Sequence, residues 1–149
     1  MRDPTGVMMP TGSAERATWT LLYDADCGFC RVALASLLAL DRGPRIRPVA
    51  LQGPEAATLL ADVDPARRAD SWHLISPEGD RFSAGAGGPP LLRLLPGGRV
   101  PAALLAAAPG PTERAYRWVA DHRSALSRWL PSGAKTHATA RIARHRGGE

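Results

Sequence analysis

With 149 residues, 44% hydrophobic and 22% charged, the chain amounts to one domain of globular sequence. Two cysteines are too few for a disulfide scaffold, and no uncharged apolar run is long enough to cross a bilayer. The net charge of +5 suits anions, yet residues 131–149 carry Lys135, Arg141, Arg144 and Arg146 against Glu149 alone, so the excess is largely a property of the tail.

Residues 1–17, broken by Pro4, Gly6, Pro10 and Gly12, lack periodicity and are expected to form a disordered leader. They show no signal-peptide pattern, which makes the cytoplasm the default location. Residues 18–23 form a short apolar run, expected as a strand central in a sheet. After the acidic turn of Asp24 and Asp26, Phe29, Val32 or Ala33, Leu37 and Leu40 recur at helical spacing, so residues 27–40 are expected to be a helix. Asp41-Arg42-Gly43-Pro44 stops it. Residues 45–51 alternate charged and apolar side chains, as a second strand does.

Residues 54–61 suit a short helix with Pro54 at its first position, and residues 62–70 a charged connection. Residues 71–76 and 80–84 flank Pro77-Glu78-Gly79, a hairpin signal. This β-α-β-α-β-β order predicts an α/β, thioredoxin-like domain with a small mixed sheet flanked by helices. Residues 85–90, rich in Gly and Pro, read as a flexible loop, followed by short helices over 91–95 and 101–108. Thr112 is the expected N-cap of a last helix over 113–130, with Tyr116, Val119, His122, Leu126 and Trp129 on one face. Tyr116, Trp118 and Trp129 are expected to supply its packing. The domain then spans residues 18–130 with a helical C-terminal part, and residues 131–149 form a disordered basic tail without the interleaved aromatics of a nucleic-acid binder.

Both cysteines stand where the first strand meets the first helix. A thiol on Cys27 lies among the unpaired N–H groups and positive dipole end of a helix N-terminus, which favour a thiolate. Cys27 is therefore the candidate nucleophile and Cys30, one turn on, the resolving thiol. A Cys27–Cys30 bridge closes so small a loop that it stabilises by only about 2 kcal/mol, so stability is a poor reason for the pair. A carboxylate beside a thiol opposes its ionisation, and Asp24 and Asp26 have two open readings: proton acceptor for Cys30, or, for Asp26, N-cap of the helix. Arg31 offsets these acids or is simply solvated. A zinc site needs two more ligands, and His73, His122, His137 and His145 form no second motif; Cu(I) needs only the two thiolates. His73 reads as a packed or partly exposed strand histidine, with a catalytic role as the alternative. Trp72 reads as core or as the wall of a groove beside the thiols.

The string Tyr23-Asp24-Ala25-Asp26-Cys27-Gly28-Phe29-Cys30, a Y-D-x-D-C-x-F-C pattern, resembles the DCC family (DUF393) of thiol-disulfide oxidoreductases. Tyr116-Arg117-Trp118-Val119-Ala120-Asp121-His122-Arg123 is similar to that family's Y-R-x-x-A-x-x-R segment. The resemblance implies a thioredoxin-like fold and thiol-disulfide exchange. Thioredoxins carry a cis-proline ahead of the third strand and a buried acid in the strand before the first cysteine. Here Asp70-Ser71-Trp72 and Leu21 occupy those places, so either a differently held substrate or slow turnover is expected. The reading is a thiol-disulfide oxidoreductase acting on a protein or low-molecular-weight thiol or disulfide, with no cofactor. The alternatives are a soft-metal module and a noncatalytic interaction domain.

Overall fold

The computed structural model describes residues 18–146. The leader expected over residues 1–17 lies outside the described residues. The elements run β1 (Trp19–Tyr23), α1 (Gly28–Leu40), β2 (Ile46–Ala50), α2 (Pro54–Leu59), a 3-10 turn (Pro65–Asp70), β3 (His73–Ile75), β4 (Arg81–Ser83), α3 (Gly88–Leu94), α4 (Arg99–Ala107), α5 (Pro109–Trp129) and α6 (Ser132–Arg146).

The sheet order is β2-β1-β3-β4, with β1 and β2 parallel and the β3 and β4 pairings antiparallel. A parallel pair needs a crossover, and α1 supplies it; β3 and β4 need only the turn at Gly79, whose φ of +96° suits glycine. This is the mixed sheet and helix arrangement of a thioredoxin-like fold. Because side chains alternate along a strand, β1 feeds two cores. Leu21 and Tyr23 join Leu34, Leu38, Leu74 and Ile142 on one face, while Leu22 meets Val49, Ala56 and Leu60 on the other.

Pro48 sits in β2, which is an edge strand and so tolerates a missing N–H. That edge is covered by the segment expected as a disordered tail. Residues 132–146 instead form α6, packed on α1 and β2. His145 Nε2 donates to Ile46 O at 2.9 Å and Arg146 Nε to Pro48 O at 3.3 Å. Ala138 and Ile142 are buried one turn apart, a stripe too narrow to show through the surrounding basic residues. The folded unit therefore continues past residue 130.

Two further segments differ from expectation. Residues 85–90 are ordered: a 3-10 turn over Ala84–Gly87 leads into α3, with Pro89 and Pro90 in its first turn, where missing N–H groups are harmless. The glycines serve close approach, because a Cβ on Gly87 meets the Trp72 ring at 2.6 Å. Likewise α5 begins at Pro109 and not after Thr112. Thr112 lies within it, its hydroxyl donating to Leu105 O at 3.1 Å, so it is not the N-cap.

His73 is packed, as its strand setting suggests. It is 4% exposed, with Nε2–H donating to Arg68 O at 3.1 Å and Nδ1 accepting from Ser83 Oγ at 2.7 Å. Burial lowers its pKa, favouring the neutral ring. Stability linked to His73 is full above the ordinary imidazole range, about 6.5, and is lost as pH falls from there through the lower folded value. Melting temperature is accordingly expected to drop between about pH 7.5 and pH 5, and to drop less in His73→Gln. Equal slopes in the two proteins would contradict this assignment.

Candidate functional site

The C-x-x-C turn is built from local chemistry. Asp24 Oδ1 accepts from the Asp26 N–H at 3.0 Å, an Asx turn that bends the chain out of β1. Cys27 has extended backbone angles and is itself the N-cap of α1, its Sγ accepting from the Cys30 N–H at 3.3 Å. The sulfur thus satisfies one of the free amides of the first turn. The N-cap reading of Asp26 is corrected accordingly: Asp26 is exposed and points instead to Gln52, whose Nε2 donates to Asp26 Oδ2 at 3.3 Å and to Asp24 Oδ1 at 2.8 Å. Gln52 Oε1 also accepts from the Ala25 N–H at 3.2 Å. One amide from the loop after β2 therefore braces the whole acidic turn.

Gly28 is buried between the cysteines, and a Cβ there stands 2.6 Å from Ser127 Oγ and 3.0 Å from Lys135 Cε. The end of α5 and the start of α6 close over the first turn of α1. Cys30 faces inward. Burial pushes its thiol up to about 12, and the hydrogen bond with Cys27, the charge of Cys27 and the charge of Asp24 add to the effect, while Arg123 opposes it. Both thiols are free.

Arg123 comes from α5, and Nη1 lies 3.7 Å from Asp24 Oδ2 and 3.4 Å from Ala69 O. Sequence reasoning gave it no role, although it ends the second segment quoted for the family resemblance. Tyr116, seven positions earlier, shares its face at two helical turns. Burial raises the Tyr116 hydroxyl pKa, with the Trp72 backbone opposing. The packing face of α5 is therefore Tyr116, Val119, Ala120 and Arg123, and the expected tryptophan face is corrected. Trp118 is 58% exposed and stacked on His122, with ring centroids 4.4 Å apart, and Trp129 is 87% exposed.

Two hollows meet at this turn. A cavity of ≈ 230 Å³ lies between the sheet, α1 and α5, with Cys30 in its wall and Leu21, Ser71 and Trp72 on its sheet side. Leu21, Ser71 and Trp72 thus converge beside the second cysteine. Trp72 is both the packing partner of Gly87 and part of that wall. A polar hollow of ≈ 340 Å³ lies around Cys27, lined by Asp24, Asp26, Arg123, Ser124 and Ser127. Asp24 and Arg123 border both.

Among the described residues no group of three or more His, Cys, Asp or Glu side chains gathers as a metal site. His73 is engaged as described, His122 Nδ1 donates to Trp118 O, and His145 binds the β2 edge. Arg31 is half-buried, with its Nε removed from solvent, which disfavours the solvated one of its two readings. No helix among the described residues is long and apolar enough to cross a membrane. A family model described as DCC1-like thiol-disulfide oxidoreductase matches residues 21–129. No curated protein and no solved structure matches the chain.

Proposed function

The chain belongs to the DCC1-like thiol-disulfide oxidoreductase family, and on that premise we propose that Cys27 and Cys30 carry out thiol-disulfide exchange on a protein or low-molecular-weight disulfide. The observation that supports this most is the unequal setting of the two sulfurs: Cys27 caps a helix N-terminus in an open polar hollow, while the half-buried Cys30 lies in the wall of the apolar cavity, where loss of water raises its thiol pKa.

In the reducing direction the Cys27 thiolate attacks one sulfur of the substrate disulfide. The substrate S–S bond breaks, its second sulfur leaves as a thiolate that takes up a proton, and a mixed disulfide remains on Cys27. Cys30 then loses its proton and attacks Cys27 Sγ. The first substrate sulfur leaves as a thiol, the Cys27–Cys30 disulfide forms, and two electrons have passed to the substrate. The timing follows from the causes of the Cys30 shift. Burial, the largest of them, persists in the mixed disulfide, but the hydrogen bond with Cys27 and its charge are lost once Cys27 is tied up there, which eases deprotonation of Cys30 at that stage. Asp24, whose charge acts on Cys30, is the proton acceptor, with Arg123 as its countercharge. Asp26 acts on the same step through the Gln52 brace that holds Asp24.

The test is redox titration in glutathione buffers together with site-resolved alkylation. A reversible Cys27–Cys30 disulfide is expected, with Cys27 modified first and Cys30 resisting alkylation until strongly alkaline pH. Failure to form a reversible disulfide would sink the proposal. Asp24→Asn is expected to slow resolution by about 10²-fold, with the mixed disulfide accumulating and the dependence of the resolving step on pH altered. An unchanged resolution rate removes Asp24 from the mechanism.

A further inference from the structure

The apolar cavity beside Cys30 has no part in the exchange chemistry just described. Its wall combines Phe29, Leu37, Leu91, Val119 and Ala120 from three helices, and its mouth is the Asp24 and Arg123 border shared with the polar hollow around Cys27. At ≈ 230 Å³ it exceeds the roughly 150 Å³ apolar cavity that holds a benzene ring, so one aromatic or branched aliphatic group fits it. It is too small for a second folded element. The neighbouring hollow offers hydroxyls on Ser124 and Ser127 and a guanidinium on Arg123, which match the carbonyls of a peptide backbone. A polar hollow around the attacking sulfur and an apolar one beside the resolving sulfur match a polypeptide, in which a polar backbone carries an apolar side chain next to the cysteine.

Resting on the exchange reaction proposed above, we propose that this cavity is a specificity pocket for a bulky apolar side chain adjacent to the substrate cysteine, so that the preferred substrates are protein disulfides flanked by such residues. Seating that side chain holds the mixed disulfide on Cys27 against Cys30 and keeps water from the resolving thiol. A small polar disulfide such as oxidised glutathione has nothing to place there.

The test uses the reduced full-length protein and disulfide-linked peptide dimers with Phe, Leu or Ala next to cysteine, with oxidised glutathione as a further probe. The Phe and Leu dimers are expected to be reduced at least ~10-fold faster than the Ala dimer, in line with hydrophobic-pocket discrimination. Ala33→Leu and Ala120→Leu fill the cavity from α1 and from α5. In whichever of the two melts like the wild type, the preference is expected to collapse towards unity, with the reduction potential and Cys27 alkylation rate unchanged. Equal rates for Phe and Ala dimers, a preference that survives filling, or oxidised glutathione reduced as fast as the Phe dimer overturns the pocket and leaves the exchange reaction standing. Absence of a reversible disulfide in the same samples overturns both.

Discussion

Cys27→Ser is expected to lower the rate of disulfide reduction by at least ~10³-fold, a loss of about 4 kcal/mol of transition-state stabilisation. A serine hydroxyl stays protonated near neutral pH and is a weak nucleophile without an adjacent base. The variant is informative because the fold has no reason to fail. Cys27 caps α1 by accepting from the Cys30 N–H, and a serine oxygen is a favoured acceptor at that position. Melting temperature should be kept or raised while exchange disappears. Cys30→Ser gives the complementary result: Cys27 still attacks, nothing resolves, and intact-mass measurement shows a protein–substrate adduct. Retention of more than about one tenth of the wild-type rate in Cys27→Ser would show that another group is the nucleophile.

The contrast between the two variants depends on geometry that was only partly legible in the residues. Strand β1, the C-x-x-C turn and the order of the first four strands follow from local pattern: an apolar run, a helical period, then a hairpin around Gly79. Helix α6 was hidden because its packing rests on Ala138 and Ile142 within a strongly basic segment, and charge dominated the reading. The start of α5 was hidden because Pro109 and Pro111 look like breakers, whereas proline is acceptable in a first helical turn. The exposed Trp118 and Trp129 show that bulk at helical spacing does not say which face a helix buries. Gln52 and Arg123 were out of reach for another reason. Each acts on Asp24 across a long stretch of chain, and only the crossover to β2 and the return of α5 bring them there. The thiols could be read from local pattern, but the groups that tune them come from tertiary packing.

The largest stability effect is expected at Gly98→Ala. Gly97 and Gly98 join α3 to α4 and are glycine for different reasons. Gly97 has φ +73°, a left-handed conformation, with open space where its side chain would be. Gly98 has an ordinary φ of −76°, but a Cβ there would overlap the Leu92 carbonyl oxygen. That oxygen belongs to the backbone of α3 and already accepts from the Leu95 N–H, so no rotamer change relieves the overlap. Helix α3 must move, and it carries Leu91 and Leu94 of the main core, while the fully buried Ala102 anchors α4. Gly98→Ala is expected to cost ~3 kcal/mol or more, as overpacking against backbone does. Gly97→Ala costs only about 1 kcal/mol of backbone strain. For a chain of this length the melting temperature should then fall by roughly 6–12 °C in the first variant and about 2–4 °C in the second. Because Leu91 also lines the cavity beside Cys30, Gly98→Ala should weaken the preference for apolar flanking residues before it affects Cys27 alkylation. If Gly98→Ala melts with the wild type, the close approach of α3 and α4 is wrong, and with it the placement of Leu91 in that wall.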